Sequence, residues 1–159
     1  MALETLGTAL GPSHPEEALP VFQANFVLTL RHDSNNSRLV FGAQCNLANC
    51  LELLGQCDEA LVLKREVYAK TVAAFGVSDE ESIHSGSSLA ASLIALRHWE
   101  EAKLLFREQL LPVARPSLGA DHHTTLALNQ NLAMALQCDP EGTRDDLRLN
   151  QRRSVDATR

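Results

Sequence analysis

Asn46-Leu47-Ala48-Asn49-Cys50-Leu51-Glu52-Leu53-Leu54-Gly55-Gln56-Cys57-Asp58-Glu59-Ala60-Leu61 reads as a helix, a tight break and the start of a second helix. Leu47, Leu51 and Leu54 fall at the i, i+4, i+7 spacing of one helix face. Gly55 stands where a helix C-terminus needs a residue tolerant of positive φ. Asp58 is the expected N-cap of the next helix.

The unit recurs. Glu17-Ala18, Glu59-Ala60 and Glu101-Ala102 are spaced 42 residues apart, each after a turn-like segment. Phe22, Lys64 and Phe106 follow on the same period. Asn46-Leu47-Ala48 returns as Ser88-Leu89-Ala90 after 42 residues, and as Asn131-Leu132-Ala133 after 43. The extra residue is expected around Pro112 to Pro116, where proline interrupts a helix. Helices are predicted over about 14–31, 38–54, 58–75, 79–96, 99–114 and 121–137, the last capped by Asp121. A weaker helix is expected from Thr143, with Leu147 as its core residue. The expected organisation is a partial or frayed N-terminal helix and turn over 1–13, a repeat domain over 14–149 and a disordered polar tail over 150–159. The fold class is all-α: antiparallel helix pairs that bury their apolar faces by stacking into a solenoid with a concave side.

Composition agrees. The chain has 159 residues, enough for one domain with a core. Aromatic residues are 4% of it, whereas strands favour aromatic and β-branched side chains. A formal charge of −6 argues against a nucleic-acid or anionic-membrane partner, which calls for a basic face. No apolar run approaches the roughly 20 residues of a membrane span. Cys45, Cys50, Cys57 and Cys138 include no C-x-x-C pair, so buried free thiols in a reducing cytoplasm are expected.

Leu118-Gly119-Ala120-Asp121-His122-His123-Thr124-Thr125-Leu126, followed by Asn131-Leu132-Ala133, resembles the pattern L-G-x-D-H-P-x-T-L…N-L-A. With the G-x-x-x-E-A-L turn at Gly55 to Leu61, the chain looks like a tetratricopeptide repeat protein of the kinesin-light-chain type, whose repeat is about 42 residues. The resemblance covers about residues 14–137 and implies a right-handed superhelix with a protein-binding groove. His123 stands in place of the family's Pro, Arg97 in place of the turn Gly, Lys64 in place of an aromatic, and Asp145 in place of a small Ala.

In such proteins the first helix of each pair lines the groove. The register then assigns Gly42, Cys45, Asn46, Asn49 and Glu52 to it in one pair. His84, Ser87, Ser88 and Ala91 follow in the next pair, and Ala127, Gln130, Asn131 and Met134 in the last. Asn46, Asn49, His84, Ser87, Gln130, Asn131 and Met134 are the expected partner-binding residues. Amides carry both donor and acceptor, so they can hold the backbone of an extended peptide. Relatives that clamp a C-terminal carboxylate use Lys or Arg where this chain has Gly42/Asn46, His84/Ser88 and Ala127/Asn131, so acidic C-termini are expected to bind weakly. Open repeat ends would favour self-association.

Catalytic signatures are missing: no H-E-x-x-H, G-x-S-x-G, P-loop or G-x-G-x-x-G occurs. His122 and His123 are adjacent, about 100° apart on a helix, and make poor co-ligands. The expectation is a non-catalytic interaction scaffold without cofactor or metal. The alternative is a small helical metal-binding or enzymatic protein using His84, His98 or His122 with a cysteine.

Overall fold

The computed structural model describes residues 2–32 and 37–139. The polar connector 33–36, the helix expected from Thr143 and the tail 150–159 lie outside the described residues. The chain divides into two compact units, Met1–Ser92 and Leu93–Arg159. Among the described residues every regular element is helical.

In the first unit α1 (Ala2–Leu10), α2 (Pro15–His32), α3 (Ser37–Leu53) and α4 (Cys57–Phe75) pack each on the next, and α5 (Glu80–Ala95) begins. Connections this short between helices of several turns make antiparallel neighbours. One core cluster joins Ala18, Phe22 and Cys50, with Leu10, Leu19, Leu47 and Leu54 packed on it. A second joins Phe41, Cys45 and Val67, with Phe75 against it. Gly7 lets α1 approach: a Cβ there would lie 2.7 Å from the Phe22 ring. Pro20 sits early in α2, and the helix runs through it.

The break between α3 and α4 closes as expected at Gly55, with φ +78°. Gln56 N–H donates to Leu51 O at 2.9 Å and Gly55 N–H to Glu52 O at 2.9 Å, which satisfies two carbonyls at the end of α3. The cap expected at Asp58 falls elsewhere. Gln56 is the N-cap of α4 and makes no side-chain cap bond. Asp58 and Glu59 stand in the first turn instead, where their charge meets the positive end of the helix dipole.

The same break recurs in the second unit without glycine. His98 N–H donates to Leu93 O at 2.8 Å and Arg97 N–H to Ile94 O at 3.0 Å. Arg97 takes φ 62°, a left-handed conformation that costs a non-glycine residue on the order of 1 kcal/mol. Arg97→Gly is therefore expected to stabilise the chain by about 0.5–1 kcal/mol, read as a raised urea midpoint. An unchanged or lowered midpoint would show that the Arg97 side chain offsets its backbone strain.

Beyond that turn, α6 (Trp99–Leu104), a π-helical stretch Leu105–Leu110 and α7 (Leu111–Leu118) run on as one rod, and α8 (His123–Cys138) packs against it. This corrects the expectation of a helix break at Pro112 to Pro116. Buried positions locate the extra residue. Ala60 and Lys64 match Ala102 and Phe106 after 42 residues, whereas Val67 and Thr71 match Leu110 and Ala114 after 43. The insertion lies between Phe106 and Leu110, inside the π stretch, where Leu111 N–H donates to Phe106 O five residues back. A π-turn is a one-residue insertion in a helix, and it widens the backbone just ahead of Pro112. Proline there brings no N–H and would clash with a carbonyl four residues back in a regular helix. The rod survives its prolines because it widens first.

The N-cap of α8 is His122, not Asp121: its Nδ1 accepts from Thr124 N–H at 3.3 Å. One turn on, Thr125 is fully buried and its hydroxyl has no hydrogen-bond partner. Ser82, its copy 43 residues earlier, is in the same state, and the first copy is already apolar as Val40. Thr125→Val is expected to raise stability by about 1 kcal/mol, because it removes an unsatisfied buried hydroxyl and keeps the branched shape. A lower melting temperature for this variant would mean that the hydroxyl is satisfied in solution.

Candidate functional site

The first helices of the pairs, α3, α5 and α8, carry the residues assigned to a binding face. On α3, Asn49 is exposed and Asn46 half-buried. On α5, His84 is exposed and Ser87 half-buried. On α8, Gln130 and Met134 are exposed and Asn131 is half-buried. Two other residues expected on that face turn inward. Cys45 is 8% exposed and packs with Phe41 and Val67. Glu52 is half-buried and bonded from two helices.

That bonding fixes the geometry in the first unit. Lys64 holds the period position of an aromatic, yet it is 3% exposed. Its ammonium donates to Glu52 Oε2 at 2.6 Å and to Ser92 Oγ at 2.9 Å. Ser92 Oγ in turn donates to Glu52 Oε1. One buried cation thus ties α4 to α3 and α5, the two helices that carry Asn46, Asn49, His84 and Ser87. A second tie stands at the start of α3. Arg38 reaches Asp79 with two bonds, 2.9 and 2.8 Å, and its guanidinium lies 4.3 Å from the centre of the Phe75 ring. Phe75 meets Phe41 edge-on at 5.9 Å. Asp79 Oδ1 also accepts from Glu81 N–H at the start of α5. The Arg38 bond, with the Glu81 N–H and the guanidinium charge, holds the Asp79 carboxyl below its usual range against the opposing effect of burial. Between α4 and α5, Thr71 and Ser85 pair through their hydroxyls at 2.8 Å.

The second unit has its own buried cation. Lys103 is 4% exposed and sits on Asp139 at 2.6 Å, with the Glu100 carboxylate also in contact. Burial alone would lower the Lys103 pKa; the bonds and charges of Asp139 and Glu100 outweigh it and raise it. Sequence reasoning missed this pair, although Lys103 stands 42 residues after the buried Leu61, a position where a charge needs a partner.

The residues of the alternative enzymatic reading are placed apart from one another in role. Burial, helped by the Glu81 charge and opposed by Lys64, pushes the Cys45 thiol up to about 11. Burial raises Cys50 as well. Both are thiols at neutral pH, whereas the nucleophile and metal ligand is the thiolate. His122 serves as a cap, and His98 lies 3.9 Å from Glu101 on the surface. Among the described residues no group of three or more His, Cys, Asp or Glu is arranged to hold a metal ion. No helix among them is long and apolar enough to cross a membrane.

No protein-family model and no curated protein sequence matches the chain. Solved structures do match. A Podosopora anserina protein described as a kinesin light chain, with nearly identical TPR-like repeats, superposes at a TM-score of 0.78 over 99% of this chain and 74% of its own, with 21% sequence identity. A point variant of that protein matches equally well, at a TM-score of 0.78 and 20% identity over the same shares. The fold is therefore an all-α solenoid of tetratricopeptide-like helical repeats. The 42-residue period and the glycine-closed turns are the sequence features of this chain that build it.

Proposed function

We propose that the chain is a non-catalytic protein–protein interaction scaffold or adaptor. It holds a partner segment against the exposed face of its first helices, in the manner expected of kinesin light chain repeats. A tetratricopeptide-like fold supports a protein-interaction role in general. The observation that carries the finer reading is the repeated placement of amide and imidazole groups at solvent-accessible positions of α3, α5 and α8: Asn46, Asn49, His84, Gln130 and Asn131. Such groups hold an extended backbone without demanding particular side chains. The ties through Lys64 and Arg38 keep α3 and α5 rigid, which lowers the ordering cost of binding. All four cysteines are free thiols, in keeping with a reducing, cytoplasmic setting. Open repeat ends are part of the reading and would give a sedimentation mass that rises with concentration.

The test is quantitative affinity capture with the chain and with Asn46→Ala plus Asn131→Ala. Each residue is only half-buried, so the variant is expected to keep its melting temperature within a few degrees, about 1 kcal/mol or less of stability. Its specific partners should fall at least ~10-fold, equivalent to about 1.4 kcal/mol of binding energy. An unchanged partner list at unchanged stability would overturn binding at this face.

A further inference from the structure

The connection from α4 to α5 carries chemistry that the partner face does not use. Gly76, Val77 and Ser78 lie in it, and all three are exposed. Asp79, Glu80 and Glu81 follow, so Ser78 is the one serine or threonine of the sequence with three acids directly after it. Acids on that side of a hydroxyl are what a kinase with a basic substrate groove selects, because charge pattern governs substrate choice. The dipole of α5 accounts for Glu80 and Glu81 in its first turn, but it does not ask for a hydroxyl at position 78. In the next copy, 43 residues on, the same place ahead of α8 holds Asp121, an exposed carboxylate. The turn therefore accepts an anion where the first unit has a serine.

A cation stands ready beside it. Arg38 of α3 spends two N–H donors on Asp79, at 2.9 and 2.8 Å, and its guanidinium is held 4.3 Å from the centre of the Phe75 ring. A guanidinium has five donors, and the Arg38 side chain is 50% exposed, so a second anion can join the first. Ser78 directly precedes Asp79, with its Cα about 3.8 Å away across the peptide.

We propose that Ser78 is a phosphorylation site for an acid-directed protein kinase, and that its phosphate engages Arg38 beside Asp79. Ser78 Oγ attacks the γ-phosphorus of ATP, the bond from that phosphorus to the bridging oxygen breaks, and ADP leaves with the electron pair. The hydroxyl proton passes to the base of the kinase. The product carries roughly two negative charges and three strong acceptor oxygens. Guanidinium–phosphate bonds are among the strong, charge-assisted ones. Phosphate and Asp79 sit on the same connection, so sharing Arg38 tightens the tie from α3 to the start of α5. Without Arg38 the same phosphate stands next to three carboxylates and repels them.

Two measurements test this. The full chain is treated with ATP, Mg²⁺ and a purified serine/threonine kinase selective for acids after the target residue, and the modified position is read by mass spectrometry. Phosphate is expected on Ser78, and Glu80→Gln with Glu81→Gln should slow its transfer at least ~10-fold. Glu80 is exposed and Glu81 half-buried, so that variant should keep its circular dichroism. In the second measurement phosphoserine is placed at position 78 during synthesis. The phosphorylated chain should melt roughly 2–4 °C above the unmodified one. In Arg38→Gln the phosphate should instead lower the melting temperature, each comparison being made within one background. Phosphate on other residues only, or an equal rate in the glutamine variant, would overturn the kinase assignment. A shift of the same sign with and without Arg38 would overturn the phosphate contact. Neither readout involves a partner, so both stand apart from the fate of the partner face.

Discussion

Lys103→Met is expected to cost about 3–5 kcal/mol of stability, the usual penalty for removing one member of a buried ion pair. The substitution keeps the bulk of the chain but takes the Lys103 ammonium away from the Asp139 carboxylate, whose side chain is only 5% exposed. Asp139→Asn should cost less, because Lys103 keeps Glu100, a partner that reaches water. The pH dependence separates this account from simple loss of packing. With its folded pKa raised above the ordinary 10.5, Lys103 contributes stability that is fully present below that value. That contribution is lost as pH rises through the folded pKa. The native chain should therefore weaken more than Lys103→Met between pH 8 and the strongly alkaline range. Urea unfolding at both ends of that range measures it. Parallel losses in the two proteins would show that the Lys103 ammonium does not stabilise the fold.

Removing Glu108 is expected to cost roughly 3 kcal/mol, and adding Pro112→Ala should restore most of it. Glu108 is exposed and sits in the π stretch, so its deletion takes away the inserted residue without removing a core side chain. Phe106, Leu110 and Ala114 can then keep their buried positions only if the rod becomes a regular α-helix. In that helix Pro112 clashes with a carbonyl that the π-turn had moved aside. The Pro112→Ala change relieves the clash, and the shortened rod returns to the 42-residue register of α4. Thermal unfolding of the deletion with and without Pro112→Ala is the measurement. A deletion that costs nothing with Pro112 in place would mean that the π-turn is not the proline's accommodation.

The architecture was legible because its determinants are local or periodic. Ala18, Ala60 and Ala102 are each 0% exposed, and a small residue at one period is what close helix packing leaves in a sequence. Gly55 and Arg97 marked their turns by position, and both take positive φ. The π-turn was not legible where it lies. Prolines announce a break at their own position, while the strain is relieved in the turn before them, and only core residues on both sides fix the register. The caps were misread for a related reason. Asp58 and Asp121 look like caps, but the repeat's turn geometry ends at Gln56 and His122, and the acids fall beside the cap.

The buried cations were half legible. Lys64 stood out as a departure from the aromatic period, but its partners are 12 and 28 residues away on other helices. Their pairing depends on packing that no local pattern encodes. For the same reason Glu52 read as a groove residue: its side chain has the right register but is drawn to Lys64 and Ser92. Asn49 and Gln130 are exposed and Asn46 is half-buried, at positions that polarity and register mark as solvent-facing without such long-range information.

Hydrogen exchange on the chain with a captured partner bound tests the central claim most directly. Binding at the proposed partner face of the first helices should slow exchange in α3 and α5, around Asn46, Asn49 and His84, and in α8 around Asn131. Exchange in α4 should stay as in the free chain. Protection centred on α4, with α3 and α5 unchanged, would contradict it.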